Sequence, residues 1–186
     1  MSDIKRKYGF LSLIKSDAVR WNENMNILNF LAILLFQPGF QLSFSLRLQQ
    51  ALCAIPVLGS LLRKVVWYFT CILLGCHCSS RATYGRGLHF PHPIGIVIGD
   101  GVQIGDNVTV YHGTTIGLKD FGKDAYPILE DDVIIYAGAQ VLGSVTISKK
   151  SIVGANAVVL KNVPEGAAAV GIPARIIEKI SHIKKV

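Results

Sequence analysis

The sequence of 186 residues lacks any apolar run long enough to cross a bilayer. The run at residues 26–36 is about ten residues long, about half of a membrane span, and Pro38-Gly39 ends it. A cleavable signal peptide is also missing, because the basic segment at residues 5–7 is followed by polar residues. These absences predict a cytoplasmic protein, with contact at the inner face of the membrane as an open alternative.

Cysteine is scarce, and its four occurrences all precede the regular part of the chain: Cys53, Cys71, Cys76 and Cys78. The Cys76-His77-Cys78 triplet lacks the paired spacing of zinc sites, so we expect structural thiols and no metal. The net charge is +7, yet nothing resembles a nucleic-acid-binding module. This charge fits a solvated basic surface or attraction to the phosphates of a cofactor or an anionic membrane.

Branched aliphatic residues recur at every sixth position, with one break in the frame: Ile98, Ile104, Val110, Ile116, Leu129, Ile135, Val141, Ile147, Val153 and Val159. A period of six fits neither a lone helix nor an ordinary sheet. It indicates a parallel β-helix, in which three short strands and their turns form one coil of about eighteen residues. Such coils stack at the strand spacing of about 4.7–4.9 Å.

The chain divides into three predicted parts. Residues 1–75 form an α-helical region for oligomerisation or peripheral membrane contact, and residues 76–164 form the β-helix. Residues 165–186 form a tail with a short basic helix that caps the open end of the coils. The predicted fold class is therefore mainly β, a parallel β-helix with helices at its N-terminal side.

The break in the frame predicts a protruding loop at residues 118–128. The next in-frame aliphatic after Ile116 should come six residues later, but it comes at Leu129, which leaves about seven extra residues. Insertions into a solenoid often lie on its binding face.

Four segments resemble the left-handed β-helix (hexapeptide-repeat) acyltransferases: residues 38–41 with Arg47, residues 92–99 (HPIGIVIG), residues 133–143 and residues 169–175 (AVGIPAR). The resemblance is to the serine O-acetyltransferase branch, which also contains acetyltransferases of surface polysaccharides, and it covers roughly residues 36–177. It implies a left-handed helix and acetyl-CoA as the acetyl donor. It also implies a homotrimer, and the apolar helices could pair trimers into a hexamer.

The resemblance makes His92 the candidate general base, because His92 occupies the position of the family's catalytic histidine. A hydroxyl attacking a thioester needs a base to take its proton, and imidazole has a suitable pKa. Backbone N–H groups in the turns could stabilise the oxyanion. A corner histidine with a purely structural role is the alternative.

Three residues depart from the family's pattern. Pro91 replaces an aspartate that orients the catalytic histidine. Tyr126 replaces a second histidine, and His77 replaces an acidic residue that helps to bind the amino acid. These departures predict the same donor and a different acceptor.

Two further side chains could contribute to the site. One coil of about eighteen residues places His112 over Ile94, two residues from His92, where it could replace the missing polar group. Tyr126 could hydrogen-bond an acceptor sugar or stack on its apolar face. A hydrogen-bonded corner histidine and a tyrosine that packs on a neighbouring coil are the structural alternatives.

The candidates for CoA binding follow from the family's groove beside the later coils: Ala137, Gly138, Ala155, Lys161 and Arg175. Small residues let the pantetheine arm approach the backbone, and cations meet the phosphates. Simple corner geometry, solvation or capping would also explain these residues.

Three functions follow from these residues. The first is an O-acetyltransferase that acts on a sugar hydroxyl of a bacterial surface polysaccharide or its precursor. The second is a serine O-acetyltransferase of cysteine biosynthesis. The third is a non-catalytic β-helix scaffold.

Overall fold

A computed structural model describes residues 8–120 and 125–178. Three sheets form the walls of a prism, and the chain visits them in the order A, B, C. Sheet A contains β1 (His77–Cys78), β3 (Val97–Ile98), β6 (Thr115–Gly117), β9 (Gln140–Leu142) and β12 (Val158–Val159). Sheet B contains β2 (Thr83–Tyr84), β4 (Gln103–Ile104), β7 (Ile128–Leu129) and β10 (Thr146–Ile147). Sheet C contains β5 (Thr109–Val110), β8 (Ile134–Ile135), β11 (Ile152–Val153), β13 (Ala168–Val170) and β14 (Arg175–Ile177).

The register of the parallel strands follows the period of six. Val97 pairs with Thr115, and Thr115 pairs with Gln140, so the second coil is longer than the first by the seven residues of the loop. The inward aliphatics stack directly, as Ile98 on Ile116 and Ile116 on Val141, and all three are buried. The predicted fold class, a left-handed parallel β-helix with helices at its N-terminal side, is confirmed.

From residue 8 onwards, four helices precede the coils: α1 (Phe10–Val19), α2 (Ile27–Phe36), α3 (Pro38–Leu52) and α4 (Leu58–Leu74). Local sequence sets several of their ends. The Asn26 side chain caps α2 by accepting from the N–H of Asn29 at 2.8 Å, and Pro38 begins α3 at the first turn, where no N–H partner is needed. Gly75 ends α4 in the left-handed conformation.

A buried ion pair fastens the helices to the first coil. The Arg47 guanidinium of α3 donates to both carboxylate oxygens of Asp17 in α1, at 2.9 and 3.1 Å. It also donates to the carbonyls of Tyr84 and Gly85. Asp17 accepts in turn from the N–H of Leu88 at 2.8 Å. The pair therefore fixes α1, α3 and the coil backbone relative to one another.

The first part of the tail, up to residue 178, adds two strands to sheet C. β13 pairs in parallel with β11, so the stack runs beyond residue 164, where the sequence placed its end. The period of six does not mark this continuation, because Val163 breaks the period and the next inward residue, Ala169, is not a branched aliphatic. β14 then turns back antiparallel to β13. The predicted capping helix lies outside the described residues, since the described tail ends at residue 178. The division into three parts stays a prediction.

Within the described segments, no single helix is long and apolar enough to cross a membrane. The bent pair formed by α2 and α3, with an angle of 94° between them, passes a test of length and composition only.

Candidate active site

One corner of the prism, which we call the histidine corner, is formed by the turns that lead from sheet C to sheet A. Backbone hydrogen bonds connect each of these turns to the turn of the next coil. The N–H of Gly113 donates to Ile94 O at 2.8 Å, and the N–H of Gly138 donates to His112 O at 2.9 Å. Gly113 and Gly138 both have positive φ, which a tight turn requires here. The structure therefore places His112 over Ile94, at the offset expected from the sequence.

His92 and His112 face solvent together at this corner. Their ring centroids lie 6.1 Å apart in an edge-on arrangement, and both residues are exposed. The ring of Tyr111 lies 6.3 Å from that of His92. Pro91 has no carboxylate to offer the imidazole. The rings of Tyr111 and His112 lie beside His92 instead. An exposed imidazole can reach a substrate hydroxyl without any rearrangement of the coil.

An aromatic stack adjoins the two histidines. The Tyr111 and Tyr136 rings lie 5.2 Å apart and are nearly parallel, at 20°. Sequence reasoning missed this pair, although the spacing of one coil plus the loop relates the two tyrosines. Both residues are partly exposed, so a pair of stacked aromatic rings lies beside His92.

The loop lies at a different corner, where sheet A leads to sheet B. The Tyr126 ring packs on Gly99 and Gly101 so closely that a Cβ at Gly101 would come within 2.3 Å of it. The loop and sheet A enclose a pocket of about 250 Å³. The short strands of sheet A separate Tyr126 from His92, so one chain does not bring these two side chains together. Within one chain the Tyr126 ring packs on the coils, and a contact with an acceptor stays a prediction.

The five residues predicted for CoA binding do not form one group. Ala137, Gly138 and Ala155 lie at the histidine corner in the coils beyond His112, where the N–H of Asn156 donates to Ala137 O at 2.8 Å. A Cβ at Gly138 would come within 2.0 Å of Asn156 Oδ1, so the corner itself requires glycine there.

The two cations lie elsewhere and are exposed. Lys161 follows β12 at the loop's corner, and Arg175 begins β14 at the far end of the stack.

Cys76 lies beneath the histidine corner and Cys78 lies in β1, and both are buried free thiols, whereas Cys53 and Cys71 belong to the helical region. Cys76 Sγ donates to the carbonyl of Pro93 at 3.0 Å, and burial raises the pKa of Cys76 and of Cys78. His77 sets its ring edge-on against Trp67, with centroids 5.0 Å apart. No group of three or more His, Cys, Asp or Glu suited to a metal ion occurs among residues 8–120 and 125–178.

The six-residue repeat, the fold and the histidine corner define a hexapeptide-repeat β-helix protein, with an accessible pair of histidines on its outer surface. Comparison with known proteins narrows this class. A serine acetyltransferase of Bacillus licheniformis is 33% identical over 173 residues, which are 90% of this chain and 78% of that protein. A serine acetyltransferase of Helicobacter pylori is 37% identical over 150 residues, 79% of this chain and 85% of that protein. The chain belongs to the serine acetyltransferase family.

Solved structures agree with this assignment. The soybean serine acetyltransferase apoenzyme superposes with a TM-score of 0.80 at 30% identity, covering 90% of this chain and 69% of the soybean chain. A serine acetyltransferase in complex with CoA gives a TM-score of 0.74 at 31% identity, covering 89% and 68%. The chain spans about half the length of other curated relatives, such as the Bacillus pumilus enzyme, of which 54% is matched at 43% identity. No family model matches the chain.

Proposed function

We propose that this protein transfers an acetyl group from acetyl-CoA to a hydroxyl group, with His92 as the general base. The observation that carries the proposal is the exposed His92 ring, 6.1 Å from His112, at a corner of the family's β-helix. Serine acetyltransferases are the relatives by sequence, and one solved relative is a complex with CoA.

The reaction needs one imidazole and no covalent enzyme intermediate. The hydroxyl oxygen attacks the thioester carbon as its proton passes to His92. Backbone N–H groups of the turns stabilise the oxyanion that forms. The carbon–sulfur bond then breaks, and the departing CoA thiolate takes up a proton, which the His92 imidazolium can return.

L-Serine is the acceptor that the relatives support best. The curated relatives are serine acetyltransferases, and the soybean structure at 30% identity has also been solved as a complex with serine. The sequence placed a sugar hydroxyl first and serine second, and the comparisons reverse this order.

A sugar hydroxyl is the second candidate, and the stacked tyrosines are the observation that favours it. The partly exposed rings of Tyr111 and Tyr136 beside His92 offer apolar contact to the face of a sugar ring. His77, in place of an acidic residue that helps to bind the amino acid, weakens the recognition of a serine ammonium group.

For the donor, we assign the pantetheine arm to the small residues beside His112. Ala137, Gly138 and Ala155 continue the histidine corner and leave the backbone accessible along it. Lys161 and Arg175 are exposed cations that could meet CoA phosphates only at the edges of this path.

A homotrimer would complete the site. His92 and the loop lie at opposite ends of the sheet A strands, so the loop of one subunit can face His92 of a neighbour only across a subunit boundary. Pairing of two trimers through their helices, which would give a hexamer, is the alternative to membrane contact for the apolar helical region.

Release of the CoA thiol tests the proposal. Wild-type protein and His92→Ala are assayed with acetyl-CoA and a panel of L-serine, nucleotide sugars and oligosaccharides. We expect His92→Ala to lose about 10²–10⁴-fold in turnover, while Lys149→Ala, at an exposed cation away from both the histidine corner and the loop, keeps full activity.

The acceptor panel separates the remaining alternatives. Tyr136→Ala should spare turnover with serine and reduce turnover with a sugar if the aromatic stack binds that sugar. Thioester turnover that is absent with every acceptor, or unchanged in His92→Ala, would favour the non-catalytic scaffold or another base.

A further inference from the structure

Helix α4 turns an apolar stripe to solvent. The stripe, which we call the α4 stripe, follows the helical period and comprises Leu58, Leu61, Leu62, Val65, Phe69, Ile72 and Leu73. These side chains are 41–75% exposed. A helix on the surface of a soluble protein normally turns such a stripe towards the core. No segment among the described residues covers it, and a contiguous exposed apolar surface marks an interaction site.

Contacts on the opposite side of α4 fix this orientation. Gly59 is buried so closely that a Cβ there would come within 2.2 Å of Leu52 O. Thr70 is also buried, and its hydroxyl pairs with that of Ser45 in α3 at 2.5 Å. Rotating the helix to bury the stripe would break both contacts.

The groove between α3 and α4 extends the apolar surface inwards. It encloses about 310 Å³ and is lined by Phe44 and Leu48 of α3 together with Val65, Phe69 and Leu73 of the α4 stripe. The stripe and the groove therefore form one continuous apolar region.

The charges around this region have one sign. Among residues 8–75 the only acidic side chains are Glu23 and Asp17, and Asp17 is buried against Arg47. Lys64 is exposed beside the stripe, and Arg63 donates to Ser80 Oγ at 3.0 Å. This combination of an apolar stripe and flanking cations complements an anionic bilayer surface.

A second copy of the chain complements the region less well. The stripe is centred near Val65, so a symmetric antiparallel pair of α4 helices would bring Arg63 and Lys64 close to their own copies. Like charges facing each other oppose such an interface.

We propose that α4 docks on an anionic lipid bilayer. The α4 stripe lies in the boundary between headgroups and acyl chains, and Lys64 faces the lipid phosphates. This contact is independent of the acetyl transfer proposed above, because the histidine corner contributes no residue to it.

Vesicle flotation of the full chain tests the proposal. Vesicles of phosphatidylcholine alone are compared with vesicles that also contain phosphatidylglycerol, at low and at high salt. We expect binding to the anionic vesicles that weakens with salt. Leu61→Gln/Val65→Gln should reduce binding at least tenfold, and Lys64→Glu should reduce it several-fold at low salt. Lys149→Glu, an exposed cation on the coils, is the matched control.

The outcomes are distinct. An unchanged circular dichroism spectrum in the α4 variants shows that they are folded. Unchanged CoA release shows that the acetyl transfer does not depend on docking. Equal binding of the wild type and the α4 variants, or no binding to either kind of vesicle, overturns the proposal. A larger assembly that Leu61→Gln/Val65→Gln disperses, without vesicle binding, would show that a second copy occupies the stripe.

Discussion

A single imidazole carries the proposed chemistry, and its surroundings differ from those that the family's pattern provides. His92 has Tyr111 and His112 as ring neighbours, where an adjacent aspartate would orient it. Its exposure keeps it available to a hydroxyl. The histidine three residues earlier, His89, is half-buried instead.

His89 should make the stability of the protein depend on pH. Burial and, to a lesser degree, the Arg20 guanidinium lower the pKa of His89 from 6.5 to about 4. The His89 imidazole therefore binds a proton more weakly in the folded protein than in the unfolded chain. As a result, the free energy of unfolding is greatest above pH 6.5 and falls as pH drops towards 4. We expect a loss of about 1–2 kcal/mol over this window, discounted for partial exposure of the ring.

Urea unfolding at several pH values measures this effect. His89→Gln cannot titrate, so its curve should be flatter than that of the wild type between pH 6.5 and 4. Parallel curves would assign the pH dependence to other groups.

The Asp17–Arg47 pair predicts an asymmetric response to mutation. Arg47→Met leaves a buried carboxylate without its cation, which should cost about 3–5 kcal/mol in the free energy of unfolding. Adding Asp17→Asn removes the charge and keeps an acceptor for the Leu88 N–H, so part of the loss should return. Denaturant unfolding of the single and double variants checks this, and equal losses in both would argue against an electrostatic origin.

Very short strands carry the coils, so the turns between them determine where each side chain lies. The turns of the histidine corner stack through Gly113 and Gly138, while the loop's corner is filled by the Tyr126 ring. Packing of that ring on two glycines fixes the base of the loop.

Gly101 and Tyr126 should be energetically coupled. A methyl group at Gly101 would clash with the Tyr126 ring, so Gly101→Ala should lose about 1–3 kcal/mol of stability. Tyr126→Ala makes room for that methyl group, and the double variant should then lose less than the sum of the two single variants. Gly117→Ala is the control, because a Cβ there meets nothing within 4 Å. Additive losses in thermal unfolding would mean that the ring does not pack on Gly101 in solution.

Two surfaces of the molecule expose apolar side chains and are proposed to contact partners. Along the wall that carries His92, Ile94 is 70% exposed and Val97 is 39% exposed, as expected for residues that a neighbouring subunit covers. The α4 stripe lies on the helical region and is proposed to contact lipid.

Sedimentation equilibrium should give about three times the mass of one chain. Ile94→Glu/Val97→Glu places charge in the proposed subunit boundary, so it should shift the protein towards the monomer. CoA release should fall with the measured mass, because the proposed site includes the loop of a neighbouring subunit. Lys149→Glu should change neither property. A wild-type monomer with full activity would show that one chain suffices.

Periodicity alone predicts the coils, the length of the loop and the position of His112 over Ile94. A period of six specifies which residues point inwards, and the offset of one coil follows from it. The family resemblance placed His92, and the comparisons support that family.

The surfaces that the remaining residues face depend on how the chain packs. Helical periodicity shows that α4 has an apolar stripe, but the contacts of Gly59 and Thr70 turn that stripe outwards. The stacking of Tyr111 on Tyr136 and the distance of Tyr126 from His92 depend on which corner each turn occupies. Such facts arise from packing between segments distant in sequence, which no local pattern encodes.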